Sequence, residues 1–139
     1  MTVIACRDGV IAADSGRWHS ELCFGLCEKI FEVGDGFLAA AGSEPMIFAL
    51  VKYLREGGEK PDIPSDEDGV AAIWLRPRGV FTAYDSAEFV PEPSPFIAAG
   101  SHTEFLMGAM AAGASAEEAV GLALEHCAFA RGPMMVRRV

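Results

Sequence analysis

Chemistry can begin at the second residue of this chain. Thr2 carries a hydroxyl, and removal of Met1 would add a free α-amine to the same residue. An α-amine titrates near pH ~7.7–8.0, against ~10.4 for a lysine side chain, so it can accept a proton at neutral pH. A hydroxyl and an amine on one rigid residue make a nucleophile with its own base. The amine would take the Thr2 hydroxyl proton, directly or through a water, as the oxygen attacks an amide carbonyl. Thr at this position is small enough to favour loss of Met1, so processing in cells is expected. The plainer reading is a β-branched residue opening a strand.

Other reactive residue types are scattered. Asp14 follows the apolar run Val10-Ile11-Ala12-Ala13, and an unpaired carboxylate buried there would be costly. It either ends a strand at the surface or has a cationic partner. Cys23 stands four residues after His19 and four before Cys27, but a zinc site would need a fourth ligand at suitable spacing, and none lies nearby. These residues read as lining a loop and a strand, and Cys6 and Cys127, in apolar runs, as small core residues. His19, His102 and His126 form no metal motif, and no phosphate-binding glycine loop is present. No cofactor is expected.

Composition narrows the partners. The 139 residues are 51% hydrophobic, enough for one compact domain with a core over 1–139. A net charge of -9 argues against nucleic acid, because phosphates would be repelled; Arg131, Arg137 and Arg138 do not make a binding patch. No apolar run approaches the ~20 residues of a membrane span. The N-terminus lacks a basic region followed by an apolar one, so no secretory signal is expected. Four cysteines without such a signal read as reduced thiols in a cytoplasm.

The elements that must position Thr2 and Asp14 start at once. Apolar runs on either side of Asp8-Gly9 predict a hairpin, since Asp-Gly is a strong hairpin turn. Residues 15–25 show no period and predict a surface loop or bent strand. Cys27 to Val33 alternates weakly into the turn Gly34-Asp35-Gly36, and Phe37 to Gly42 returns as a buried strand of small residues. Ser43-Glu44-Pro45 opens a helix with Met46, Leu50, Tyr53 and Leu54 on its apolar face, stopped by Gly57-Gly58. Lys60 to Asp68 reads as an exposed loop. Gly69 to Leu75 and Val80 to Tyr84 flank a turn, and 85–95 form an acidic connection. Phe96 to Ala99 is a short strand entering a helix over 101–112. Ser115-Ala116-Glu117-Glu118 is a capping box starting a second helix to about Cys127, and Gly132 to Val136 is a final strand. The pattern is α+β, with antiparallel sheets packed by helices.

Several blocks resemble, in order and spacing, the proteasome β subunits and the bacterial HslV peptidase. They are Thr2-Val3-Ile4, Val10-Ile11-Ala12-Ala13-Asp14, Glu28-Lys29-Ile30-Phe31, Ala39-Ala40-Ala41-Gly42, Phe96-Ile97-Ala98-Ala99-Gly100-Ser101 and, more weakly, Cys127-Ala128-Phe129. The first hairpin is shorter than in that family. The resemblance implies a four-layer αββα sandwich, the N-terminal nucleophile hydrolase fold, and a threonine peptidase. It makes Lys29 the lysine beside the nucleophile, lowering the pKa of hydroxyl and amine, and Asp14 the carboxylate that holds it. Gly42 matches the glycine whose N–H receives the oxyanion; the same glycine also serves a strand-to-helix turn. Ser101 matches a serine that hydrogen-bonds near the nucleophile amine, and it is equally placed to be a helix N-cap.

The resemblance further implies a peptide or unfolded-protein substrate, a ring-like homo-oligomer and an ATP-dependent unfoldase partner. Toward the C-terminus the match departs. Where proteasome β subunits carry an Asp and then a Ser, this chain has Cys127, which is closer to HslV, and Ala130, which removes a hydroxyl from the amine's hydrogen-bond network. Two rival readings follow: a shell protein that keeps the fold without the chemistry, and an amidase of the same fold acting on a small amide.

Overall fold

The structure, a computed structural model, describes residues 1–67 and 69–139. The first hairpin joins β1 (Val3–Arg7) to β2 (Val10–Ala13). Asp8 and Gly9 both take positive φ, 52° and 72°, as the tight turn matching strand twist requires.

Residues 15–25, expected as a loop or bent strand, instead form a second hairpin of β3 (Gly16–His19) and β4 (Leu22–Leu26). Arg17 pairs with Gly25 and Trp18 with Cys23, so Phe24 is an extra residue and the register slips there. A bulge of this kind breaks period-two alternation, which is why the stretch has no readable pattern.

β5 (Ile30–Val33) and β6 (Gly36–Gly42) follow, and β6 runs into α1 (Glu44–Glu56). Ser43 occupies the N-cap position without a side-chain cap bond, Glu44 and Pro45 fill the first turn, and Gly57 ends the helix at φ 75°. Its fully buried residues are Ile47, Leu50 and Val51, while Met46, Tyr53 and Leu54 pack partly buried on the same core. The expected apolar face is thus centred one residue further on. In the loop after it Ile63 is buried, and Asp68 lies outside the described residues.

β7 (Val70–Arg76) and β8 (Gly79–Tyr84) form the expected hairpin, and the connection after it contains a two-residue strand, β9 (Val90–Pro91). β10 (Phe96–Gly100) leads to α2 (Thr103–Ala111), α3 (Ala116–His126) and β11 (Met135–Arg138). The capping box at Ser115 is complete in both directions. α2 begins two residues later than expected: His102, at φ 57°, is its N-cap residue. A left-handed residue cannot continue a helix from Ser101, so Ser101 lies in the turn before it and the N-cap reading of Ser101 is corrected. The last strand starts three residues after the expected point.

Pairing is antiparallel throughout, in one sheet of order β10-β1-β2-β11 and another of order β5-β6-β7-β8-β9, with β3-β4 a separate ribbon. One core joins Val3, Ala5 and Ala12 to Leu106, Met110, Ala119 and Val120 of the last two helices. A second joins Ile4, Cys6 and Ile11 to Ile30, Ala39 and Ile73. A third joins Leu38, Val70 and Ala72 to Leu50 and Val51 of α1. Alternate residues of β1 therefore enter different cores, so both of its faces are covered and it reads as an unbroken apolar run. Among the described residues no helix is long and apolar enough to cross a membrane.

Candidate active site

Asp14 follows directly on β2, whose register with β1 (Ile4 against Ala13) brings it beside Val3. The Asp14 side chain is fully buried. Its Oδ1 accepts from the Val3 N–H at 2.9 Å and from Lys29 Nζ at 2.7 Å, and its Oδ2 accepts from the Arg131 N–H at 3.2 Å. The carboxylate is thus ringed by donors, as a buried charge must be. The alternative that Asp14 ends a strand at the surface is excluded by its burial.

Lys29 stands just before β5 and is 4% exposed. Beyond Asp14, its ammonium donates to the Met1 carbonyl at 3.0 Å. That carbonyl belongs to the peptide bond joining Met1 to Thr2, so the cation lies one peptide from Thr2. It is not on an exposed face.

The Thr2 backbone is held from the opposite edge. Its carbonyl accepts from the Ser101 N–H at 2.6 Å, and β10 pairs Gly100 with Val3. Gly100 takes φ +90°, and a Cβ there would stand 2.0 Å from the Thr2 oxygen. Only glycine allows the two backbones to come this close. Ser101 is therefore brought to Thr2, and the contact runs through its backbone N–H. Sequence reasoning missed the part of Gly100; its signal was the glycine at a strand end facing a partner strand.

Gly42 ends β6 at φ +128°, where a Cβ would meet the Gly69 carbonyl at 2.0 Å. Gly42 and Thr2 both line a cavity of about 390 Å³, as do Met1 and Lys29. Phe31, Ile47 and Phe48 give the cavity an apolar wall. Arg17 and Glu44, joined at 3.1 Å, also line it. Thr2, Lys29 and Gly42 thus share one cavity; Asp14 supports it from beneath Lys29, and Ser101 from behind Thr2.

The Met1 α-amine is held below its ordinary value, first because burial desolvates the ammonium, then because Lys29 repels it; Asp14 opposes both. The Cys27 thiol, also in the cavity wall, is pushed up by burial with Lys29 pulling the other way. Cys6 is pushed up to about 12 by burial, in accord with its reading as a core residue.

Residues after α3 complete the support. The Ser15 N–H donates to the Arg131 carbonyl at 2.8 Å, and Ser15 Oγ donates to the Pro133 carbonyl at 2.6 Å. Phe129 N–H donates to His102 Nε2 at 3.4 Å. Ala130 is 1% exposed and packs in the first core. No sequence signal marks Arg131, because its backbone makes the contacts.

No protein-family model and no curated protein matches the sequence. Solved structures do. BPH of Thiobacillus denitrificans in complex with epoxomicin is similar over 99% of this chain and 97% of that one, at 23% identity and a TM-score of 0.72. A second structure of that protein gives 22% identity, 99% and 96% coverage and the same TM-score of 0.72. Eukaryotic HslV from Trypanosoma brucei matches at 15% identity, a TM-score of 0.70 and 99% and 98% coverage. The chain has the α+β fold of these structures, that of proteasome β subunits and N-terminal nucleophile hydrolases.

Proposed function

We propose that this chain is a threonine peptidase that uses Thr2 as its nucleophile after removal of Met1. In this reading the Thr2 amine accepts the hydroxyl proton and the oxygen attacks a peptide carbonyl. The oxyanion rests against the Gly42 N–H, and the leaving amine departs with the proton. Water, activated by the same amine, then hydrolyses the acyl ester. Lys29 lowers the pKa of hydroxyl and amine, Asp14 holds Lys29 in place, and Ser101 fixes the Thr2 backbone.

The observation that carries this reading is the buried pair of Lys29 and Asp14 at 2.7 Å, with the ammonium 3.0 Å from the carbonyl that joins Met1 to Thr2 and that leaves with Met1. A structural lysine does not need to leave the surface for a cavity that it shares with Thr2 and Gly42. Epoxomicin on BPH supports trying the same inhibitor chemistry here. The reading includes a single domain over 1–139 built as a four-layer αββα sandwich, which the three separate cores support. It also includes a cytoplasmic location, an unfolded-chain substrate, a homo-oligomeric ring and an ATP-dependent unfoldase.

The test is intact mass before and after incubation with a peptide epoxyketone. The expected result is a chain lacking Met1 that gains one adduct, with no adduct in Thr2→Ala. A chain that keeps Met1 and takes no adduct would sink the peptidase reading. A second reading, a shell protein without activity, is favoured by Ala130, a buried position with no hydroxyl to offer the amine.

A further inference from the structure

His102 holds a strained backbone beside the turn that grips Thr2. It takes φ 57°, the left-handed region that glycine enters freely and other L-residues enter at a cost. Such strain persists where the surroundings over-determine it, and it gathers at functional sites. The residue stands at the N-cap of α2, yet its side chain makes no cap bond there. What a histidine adds to this turn is its imidazole, and the imidazole is engaged elsewhere.

The ring reaches the segment after α3. Its Nε2 accepts from the Phe129 N–H at 3.4 Å, so Nε2 carries no proton and the ring proton sits on Nδ1. The imidazole also stacks on the Phe129 ring, with centroids 5.9 Å apart and planes 23° from parallel. One residue before His102, the Ser101 N–H holds the Thr2 carbonyl at 2.6 Å. Two residues after Phe129, the Arg131 N–H holds Asp14 Oδ2 at 3.2 Å. Asp14 Oδ1 in turn accepts from the N–H of Val3, the neighbour of Thr2, at 2.9 Å. These contacts close a circuit that starts and ends at Thr2. Its only side chains are those of His102 and Asp14; the other links are main chain. Ala130, between Phe129 and Arg131, is buried and has no side-chain donor or acceptor to add a tie of its own. Without the imidazole, the circuit opens between residues 102 and 129.

We propose that His102 is a positioning residue whose imidazole locks the segment after α3 onto the turn that holds Thr2, and through Arg131 fixes Asp14. Its effect on a reaction rests on the peptidase reading, but the lock itself does not depend on Thr2 chemistry. Asp14 holds Lys29 at 2.7 Å, so slack at Arg131 is passed through that pair to the cavity. His102 does not line the cavity itself, and its loss should fall on the rate of reaction and spare binding.

The experiment compares wild type with His102→Gly, which suits the left-handed turn and deletes the imidazole. His102→Gln is the second variant: its amide oxygen stands as many bonds from Cβ as Nε2 does and can accept from the same N–H. Thermal melting first establishes that both fold. Thr2 labelling by a peptide epoxyketone is resolved into KI and kinact, and hydrogen exchange over residues 127–133 is read by mass spectrometry. For His102→Gly the expectation is a kinact lower by about three- to tenfold with KI unchanged, the worth of one net hydrogen bond. Exchange over 127–133 should be roughly tenfold faster, and His102→Gln should recover most of both losses. Unchanged exchange and unchanged kinact in His102→Gly overturn the inference and leave the peptidase reading intact. Faster exchange with an unchanged kinact makes the contact merely structural and overturns it too, as does a folded His102→Gln that recovers neither. Faster exchange in His102→Gly, with no labelling of wild type, upholds the lock and sinks the peptidase reading alone.

Discussion

Replacing Lys29 by Met tests whether the site rests on its buried ion pair. Lys29 and Asp14 are 4% and 0% exposed, with their charged atoms 2.7 Å apart. Removing one member of such a pair leaves a charge without compensation and costs roughly 3–5 kcal/mol. Asp14 would keep two donors, the N–H groups of Val3 and Arg131, so the loss belongs at the lower end, about 3 kcal/mol. In a domain of this size that is a fall in Tm of roughly 10 °C. Urea unfolding should show a lower midpoint with the slope unchanged, because the exposed surface on unfolding is the same. Asp14→Asn added to Lys29→Met leaves a neutral group to accept the Val3 N–H and should regain about 1 kcal/mol. A single variant within about 1 kcal/mol of wild type would refute the reasoning. The pair would then behave as a solvated one, and Asp14 could not be what fixes Lys29.

Two further outcomes follow from the same geometry. Gly100→Ala puts a Cβ where only 2.0 Å separates it from the Thr2 oxygen, at a φ of +90°; it should destabilise by about 2 kcal/mol or more and abolish Thr2 labelling, read by melting and mass. At the start of α3, the Glu118 carboxyl is held below the usual range by the Ser115 N–H and then by the Ser115 side chain. A depressed folded-state pKa gives stability that is present above the ordinary carboxylate value and lost as pH falls through the folded value. Glu118→Gln should therefore flatten that part of the acid limb in denaturation profiles, and an unchanged limb would place the acid sensitivity elsewhere.

How much could be read beforehand depended on how local the cause was. The Asp8-Gly9 turn and the Ser115 capping box are decided within a few residues and were legible. Asp14 was legible as a problem, a carboxylate after four apolar residues, and Lys29 as its solution only through resemblance. The β3–β4 ribbon was not, because the extra residue Phe24 destroys the alternation that marks a strand. Ser101 and His102 show a different limit: which residue turns left-handed is set by how β10 must reach the Thr2 backbone, and composition does not encode that. Arg131 is invisible for a third reason, since any residue but proline would present the same N–H to Asp14.

That last contact orders events in time. Asp14 and Arg131 are 117 positions apart, and β2 acquires its outer neighbour only when Met135 to Arg138 arrive. A ribosome-bound chain ending before residue 131 already holds Thr2, Asp14 and Lys29, yet it leaves one carboxylate oxygen short of its donor and the edge of the sheet open. Long-range closure of this kind comes late in folding. The carboxylate that holds Lys29 therefore gains its last donor only after residue 131 has been made.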